Sequence, residues 1–356
     1  MNITAACAVL LAVAAFAPST PVTTEAPLQA FGSDTSPGAS APAAAAPPAD
    51  SPPAASLPAV EVDSLIGLEA AIHQHEHHII ITADLDAGSI PKNVDVRDPA
   101  ESGTVIEGAT RDIALINLQF RIVDDSATGA VHDITVRNLT MHGRVSDLVA
   151  LSGEQTRPGG VGTNYEAISV RGARYVTIDQ VTAYDTTDDL MSVTRQADQV
   201  TISNCDLYYT REFANIDPAI EWNWSSGLQP LAEERLGLIV GNKPSDSYFS
   251  TGLLHVTLSN NHIGSLVRGR PLLRGYVQVI GNTFDNTAPD GHQYAAIEVG
   301  SGGYVVVTGN TFDHSNNPIM VHLNDPADPY SLHESNNTYL EITGSTAPEY
   351  DAGPVG

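Results

Sequence analysis

Lysine is almost missing from this chain of 356 residues. Only Lys92 and Lys243 occur, and 16 Lys and Arg together face 42 Asp and Glu, for a formal charge of −26. A chain so short of positive charge cannot spread the basic face that neutralises phosphates, which excludes a nucleic-acid binder. Cysteine is as scarce: Cys7 and Cys205 are the two present, too few for a disulfide framework or a CxxC metal cage. No apolar run is long enough for a stable membrane span. Also missing are a GxSxG elbow, a P-loop and an HExxH pair, which leaves a serine hydrolase, a nucleotide enzyme and a zincin without support. An apolar share of 42% still provides for a sizeable core.

The first 17 residues read as a secretory signal peptide: ITAACAVLLAVAAFA is a short apolar segment closing on Ala15-Phe16-Ala17, although no Lys or Arg precedes it. Export and an extracellular location follow as expectations. Residues 18–58 hold ten of the 23 prolines among Ala, Ser and Thr, a composition that cannot offset chain entropy by burial and reads as a disordered linker. Residues 59–356 are expected to form one domain.

That domain opens with a short cap helix, for which Asp63 and Ser64 are candidate N-caps and Leu65, Leu68 and Ile72 share a face. Helical periodicity then stops and a strand motif recurs: IALINLQF at 113, ITVRNLTM at 134, VTIDQVTA at 176, VTISNCDL at 200, VTLSNNHI at 256, VQVIGNTF at 277 and VVVTGNTF at 305. Most gaps between starts are 21 to 28 residues, with two longer. So short a period, carrying strands without helices, implies an all-β parallel β-helix whose coils stack ~4.8 Å apart. A second series, EAISV at 166, DLMSV at 189, GLIV at 237, PLLR at 271, AIEV at 296 and PIMV at 318, would form another stacked sheet. Asn138, Asn204, Asn260, Asn282 and Asn310 recur where the chain must bend, a place where Asn tolerates left-handed backbone and can ladder between coils.

Charged residues interrupt the second series. Glu166 opens one strand, Asp188 and Asp189 the next, and Arg268, Arg270 and Arg274 bracket a strand two coils on. Stacking would line these groups along one groove with ~10 to 15 Å between its ends. Three hard oxygen donors on adjacent coils suit Ca²⁺ better than Zn²⁺, and clustered Arg suits a carboxylate-bearing polymer. The plain alternatives are solvated strand ends and surface ion pairs. His73, His75, His77 and His78 resemble a zinc tract but have no cysteine beside them, and Cys205, at a repeat position, reads as packed core.

In order and spacing, VDSLIGLEAAI, HIIITADL, TVIEGA, DITVRNLTM, NYEAISV, VTID, DDLMSV, VTISNC, RLGLIVG, HVTLSNNHI and RPLLRG resemble the pectate lyase and pectin lyase family over nearly the whole domain. The resemblance implies a secreted, monomeric, right-handed parallel β-helix that cleaves homogalacturonan by Ca²⁺-assisted β-elimination. It implies metal ligation at Asn164, Glu166 and Asp188; the family's fourth ligand position falls on Ser192, which has no carboxylate, and Asp189 could substitute for it. Arg235 and Arg274 would bind substrate. The family's catalytic Arg falls on Gly269, flanked by Arg268 and Arg270, and a one-residue slip on a strand reverses the side chain's face. The better-placed base is Arg270, then Arg268. Two further readings stay open: a calcium-independent pectin lyase, which needs a cation where the metal would sit, and a lyase-derived protein that holds acidic glycans without cleaving them.

Overall fold

The computed structural model describes residues 58–152, 165–224, 227–264, 266–268, 271–288 and 295–352. The signal peptide and linker expected before residue 58, together with Asn164, Gly269 and Arg270, lie outside the described residues.

The chain winds as a single parallel β-helix. Nine strands form one sheet in strict chain order, from Lys92–Val96 through Leu118–Val123, Ile168–Arg171, Met191–Thr194, Leu238–Val240, Leu272–Leu273, Ile297–Gly300 and Ile319–Leu323 to Glu349–Ala352. All six members of the second sequence series fall in it, with Ile168, Met191 and Leu238 in register and pointing inward. The remaining faces share a 17-stranded sheet that bends once per coil.

The bend has a local cause. His132–His142 and Arg174–Tyr184 run straight through it, with Asn138 (φ 56°) opposite Gln180 (φ 55°) in left-handed backbone. On later coils the strand breaks into two around Asn204, Asn260, Gly281, Gly309 and Asn336, with φ between 54° and 66°. Asn and Gly adopt this conformation at least cost. The five expected bend asparagines therefore divide: Asn138, Asn204 and Asn260 are the bend residues, whereas Asn282 and Asn310 stand one residue later, after a glycine that makes the bend.

At that later position the side chain points inward. Asn261, Asn282, Asn310 and Asn337 form a ladder in which each Oδ1 accepts a backbone N–H from the coil before, at 2.9, 2.9, 2.9 and 3.0 Å. Each Nδ2 donates to a backbone carbonyl of the coil before: Ile202, Leu258, Val279 and Val307. Leu139, Val181 and Cys205 fill the same position on earlier coils. Cys205 is packed core, as expected, and burial raises its thiol pKa to about 12, out of nucleophile range.

One strand assignment needs correcting. Ile134, Val176, Val200, Val256, Val277 and Val305 are in register, but the segment from 113 is not: Ala114 pairs with Thr140, beyond the bend, and the coil's own first strand is Val105–Gly108. Alternation of apolar and polar residues recurs on every face of the solenoid, so alternation alone does not say which face a segment occupies. Helix Leu65–His73 closes the N-terminal end, its first turn capped where Ser64 Oγ accepts the Gly67 N–H at 3.3 Å, and it buries Leu68, Ala71 and Ile72. Its neighbour His78, the last of the histidine tract, lies 2.8 Å from Glu107, and Glu107 pairs with Arg137 at 2.6 Å. No helix among the described residues is long and apolar enough to cross a membrane.

Candidate active site

Of the charged residues singled out above, Glu166, Asp188, Asp189, Arg235 and Arg268 stand where the chain enters the middle strands of the nine-stranded sheet. Register relates them. Ser169 pairs with Ser192, Ser192 with Ile239, and Ile239 with Leu272. Counting four residues back along each strand places Tyr165, Asp188, Arg235 and Arg268 at equivalent points of successive coils, and counting three back places Glu166 beside Asp189. A direct hydrogen bond ties two of these points: the Arg268 backbone N–H donates to the Arg235 carbonyl at 2.7 Å.

Glu166 is buried, and burial raises its carboxyl pKa to about 7. The hydroxyl of Ser192 and the charge of Arg171 oppose that rise, and the carboxylate of Asp189 adds to it. The surrounding hydrogen bonds close a ring. Arg171 Nε donates to Ser169 Oγ at 2.8 Å, Ser169 Oγ lies 2.8 Å from Ser192 Oγ, Ser192 donates to Glu166 Oε2, and Glu166 Oε1 faces Arg171 Nη2 at 3.5 Å. A hydroxyl has one proton. Since Ser192 gives its proton to Glu166, its contact with Ser169 needs Ser169 as the donor, so both arms of the ring run from the Arg171 guanidinium to the Glu166 carboxylate.

The loop carrying Asp188 is rigidly held. Its carbonyl accepts from Thr186 Oγ1 at 2.8 Å and from the buried Tyr209 hydroxyl at 3.1 Å, and its Oδ1 accepts the Asp189 N–H at 2.8 Å. Asp188 is half-buried and Asp189 buried. Arg235 is buried. Arg268 is partly exposed and forms an ion pair with Glu233, whose carbonyl it also meets at 3.3 Å. Arg274 lies further along its strand, buried, donating from Nη1 to the Gly241 carbonyl at 3.0 Å. It fits because the next coil has Gly300 there: a Cβ on Gly300 would approach Arg274 Cγ to 2.8 Å.

The structure thus brings Glu166 and Asp189 together and aligns Asp188, Arg235 and Arg268 on consecutive coils, while Arg274 stands apart. Sequence reading missed Ser169 and Arg171. Their signal was alternation: in EAISVR the outward positions of the strand are Ser169 and Arg171, on the same coil as Glu166.

Without Asn164, which lies outside the described residues, this set does not fit a calcium ion. Among the described residues no three His, Cys, Asp or Glu side chains come together as a metal site. Ser192 stands where the second pair of ligands would supply a carboxylate, and both oxygens of Glu166 are engaged. Calcium binds oxygen at 2.3–2.6 Å, so an ion on Glu166 Oε1 would crowd a guanidinium that already faces this oxygen at 3.5 Å.

No protein-family model matches the chain, and no curated protein matches it either. Solved structures do. Pectate lyase II from Xanthomonas campestris pv. campestris superposes with a TM-score of 0.57 at 18% identity, covering 84% of this chain and 82% of that one. The chain has the pectate lyase fold. A pectate lyase from Paenibacillus sp. 0602 superposes with a TM-score of 0.55 at 15% identity, over 82% and 79% of the two chains. A pectate lyase from Bacillus sp. N165, solved in complex with trigalacturonate, gives 0.55 at 15% identity, over 85% and 90%.

Proposed function

We propose that this chain is a secreted polysaccharide lyase that cleaves a uronate polymer of the polygalacturonate type by β-elimination. The observation that carries the reading is the set of charged groups on three consecutive coils, Glu166, Asp188 with Asp189, and Arg235 with Arg268 beyond it, at one edge of the nine-stranded sheet in a pectate lyase fold. The reaction removes the proton at C5 of a uronate, moves its electron pair into a C4–C5 double bond and expels the C4 glycosidic oxygen. The C5 proton is acidified when the C6 carboxyl group is held by positive charge, and guanidinium groups suit that task by planar, paired hydrogen bonds. Arg270 is the proposed base. An Arg base must be held partly neutral or very close to the proton, because its ordinary pKa is above ~12. Arg268 is the weaker candidate, since its guanidinium is already taken up by an ion pair with Glu233.

No step here runs through a metal. Calcium-assisted elimination remains a distinct form of the proposal, separated from the metal-free form by adding calcium or EDTA. The non-catalytic reading draws support from Ser192 and from the Arg268–Glu233 pair, both departures from a working lyase site. Incubation with polygalacturonate, followed by ultraviolet absorbance of unsaturated uronate ends, tests the enzyme reading: accumulating absorbance supports it, and binding without absorbance favours the glycan-holding protein.

A further inference from the structure

We infer that Arg171 is the cation of this site: its guanidinium, held by Ser169 and Glu166, receives the C6 carboxyl group of the substrate in place of a metal ion. This rests on the uronate-polymer reading above and names the residue that would make it metal-independent. Three observations carry it. Arg171 is the positively charged group directly facing Glu166, at 3.5 Å, and it is fixed by a second contact, Nε to Ser169 Oγ at 2.8 Å. Its side chain is 21% exposed while that of Glu166 is 6% exposed, so Arg171 keeps contact with solvent where Glu166 has almost none. A guanidinium carries five N–H donors, and the contacts seen among the described residues use Nε and one face of Nη2, which leaves the Nη1 side for a ligand.

The surroundings favour this role. Arg121, the neighbouring outward Arg on the preceding coil, is neutralised by a two-pronged pair with Asp95 at 2.7 and 2.7 Å and offers no comparable site. Along the row of Arg171, register places Thr194 and then Gly241 on the next two coils, neither of which carries a charge that would compete for the guanidinium. The ligand chemistry is a uronate C6 carboxyl group, as free acid or as methyl ester; the guanidinium can donate to either, whereas a metal centre favours the charged acid.

The test uses the full chain in two arms. In the first, melting is followed with calcium chloride and with EDTA, without saccharide. The parent is expected to melt at the same temperature in both, and Arg171→Gln combined with Ser192→Asp, which removes the guanidinium and restores a carboxylate, is expected to gain a calcium-dependent rise. A calcium-dependent rise in the parent, abolished by Glu166→Gln, overturns the inference whatever the protein does with saccharides. In the second arm, calorimetry measures binding of galacturonate oligomers and of their methyl esters in EDTA. The parent is expected to bind, Arg171→Gln to weaken binding about tenfold or more, and Arg171→Lys to retain part of it. Parent-like affinity in Arg171→Gln overturns the inference. Failure of the parent to bind either oligomer in EDTA, with melting blind to calcium, sinks the uronate reading and the substrate role of Arg171 with it. Tighter binding of the acid than of the ester, or the reverse, identifies which form the site prefers.

Discussion

The asparagine ladder and the charged end of the nine-stranded sheet are built on the same stacking of coils, yet their chemistry differs. In the ladder, Asn261, Asn282, Asn310 and Asn337 repeat one hydrogen-bond pattern, so every coil satisfies the coil before it. At the sheet's end, successive coils present Glu166, Asp189, Arg235 and Arg268, no two alike in surroundings. Repetition in a solenoid serves stability, because each copy meets the same need. Where a coil position stops repeating and carries charge, the local arrangement must be held by specific partners instead, as the ring through Ser169, Ser192, Glu166 and Arg171 shows. Substitutions in the two regions should separate cleanly: ladder changes alter melting, and groove changes alter turnover.

The largest effect is expected at the groove. Replacing the proposed base, Arg270→Lys, should lower kcat about a hundredfold to ten-thousandfold with polymer binding and melting preserved, because an interaction made only in the transition state appears in kcat. Steady-state kinetics on polygalacturonate checks this, and a collapse in Arg268→Lys with near-parental Arg270→Lys would reverse the assignment. Next comes the ladder. Asn282→Leu removes the acceptor for the Asn261 N–H and the donor for the Leu258 carbonyl. Leaving two buried groups unpaired should cost about 3 kcal/mol, read as a lower melting temperature with unchanged kcat per folded molecule.

A smaller effect marks a purely structural carboxylate. Asp124 closes the turn at 124–130 by accepting the backbone N–H groups of Ser126, Gly129 and Ala130 at 2.9, 2.7 and 2.7 Å. Burial works against its charge, but those bonds and the Ser126 hydroxyl outweigh it and hold the carboxyl below its ordinary value. The stabilisation is therefore complete above the unfolded carboxylate range and is lost as pH falls through the lower folded value. Asp124→Asn should narrow the difference in melting temperature between neutral and acidic buffer, and an unchanged difference would contradict this role. The smallest effect is expected at His262, whose pKa is raised chiefly by its hydrogen bond to Asp206 at 2.7 Å. That contribution is present below the unfolded histidine value and disappears as pH rises through the folded one. With both groups partly exposed, Asp206→Asn should cost a few tenths of a kcal/mol at most, visible in melting at mildly acidic pH and absent above neutrality.

The coil architecture was legible because the core face repeats: the strands at 166, 189, 237, 271, 296 and 318 all lie in the nine-stranded sheet. Two errors share one cause. The segment at 113 was assigned to the wrong face, and Asn282 and Asn310 were grouped with bend residues, because local pattern does not distinguish neighbouring positions that pairing between coils distinguishes. Glu166, Asp188 and Asp189 were visible as charges interrupting an apolar series. Arg171 was not, since an outward Arg on a strand resembles any solvated residue until register and burial place it against Glu166. Between Arg268 and Arg270, only the first has a described position, paired with Glu233.

The most direct measurement is the initial rate of unsaturated uronate formation from polygalacturonate, recorded for the full chain in EDTA and again in calcium. Equal, nonzero rates are predicted, falling in both buffers when Arg171 is replaced by Gln. Product in calcium alone, or in neither buffer, would contradict a lyase whose cation is supplied by the protein.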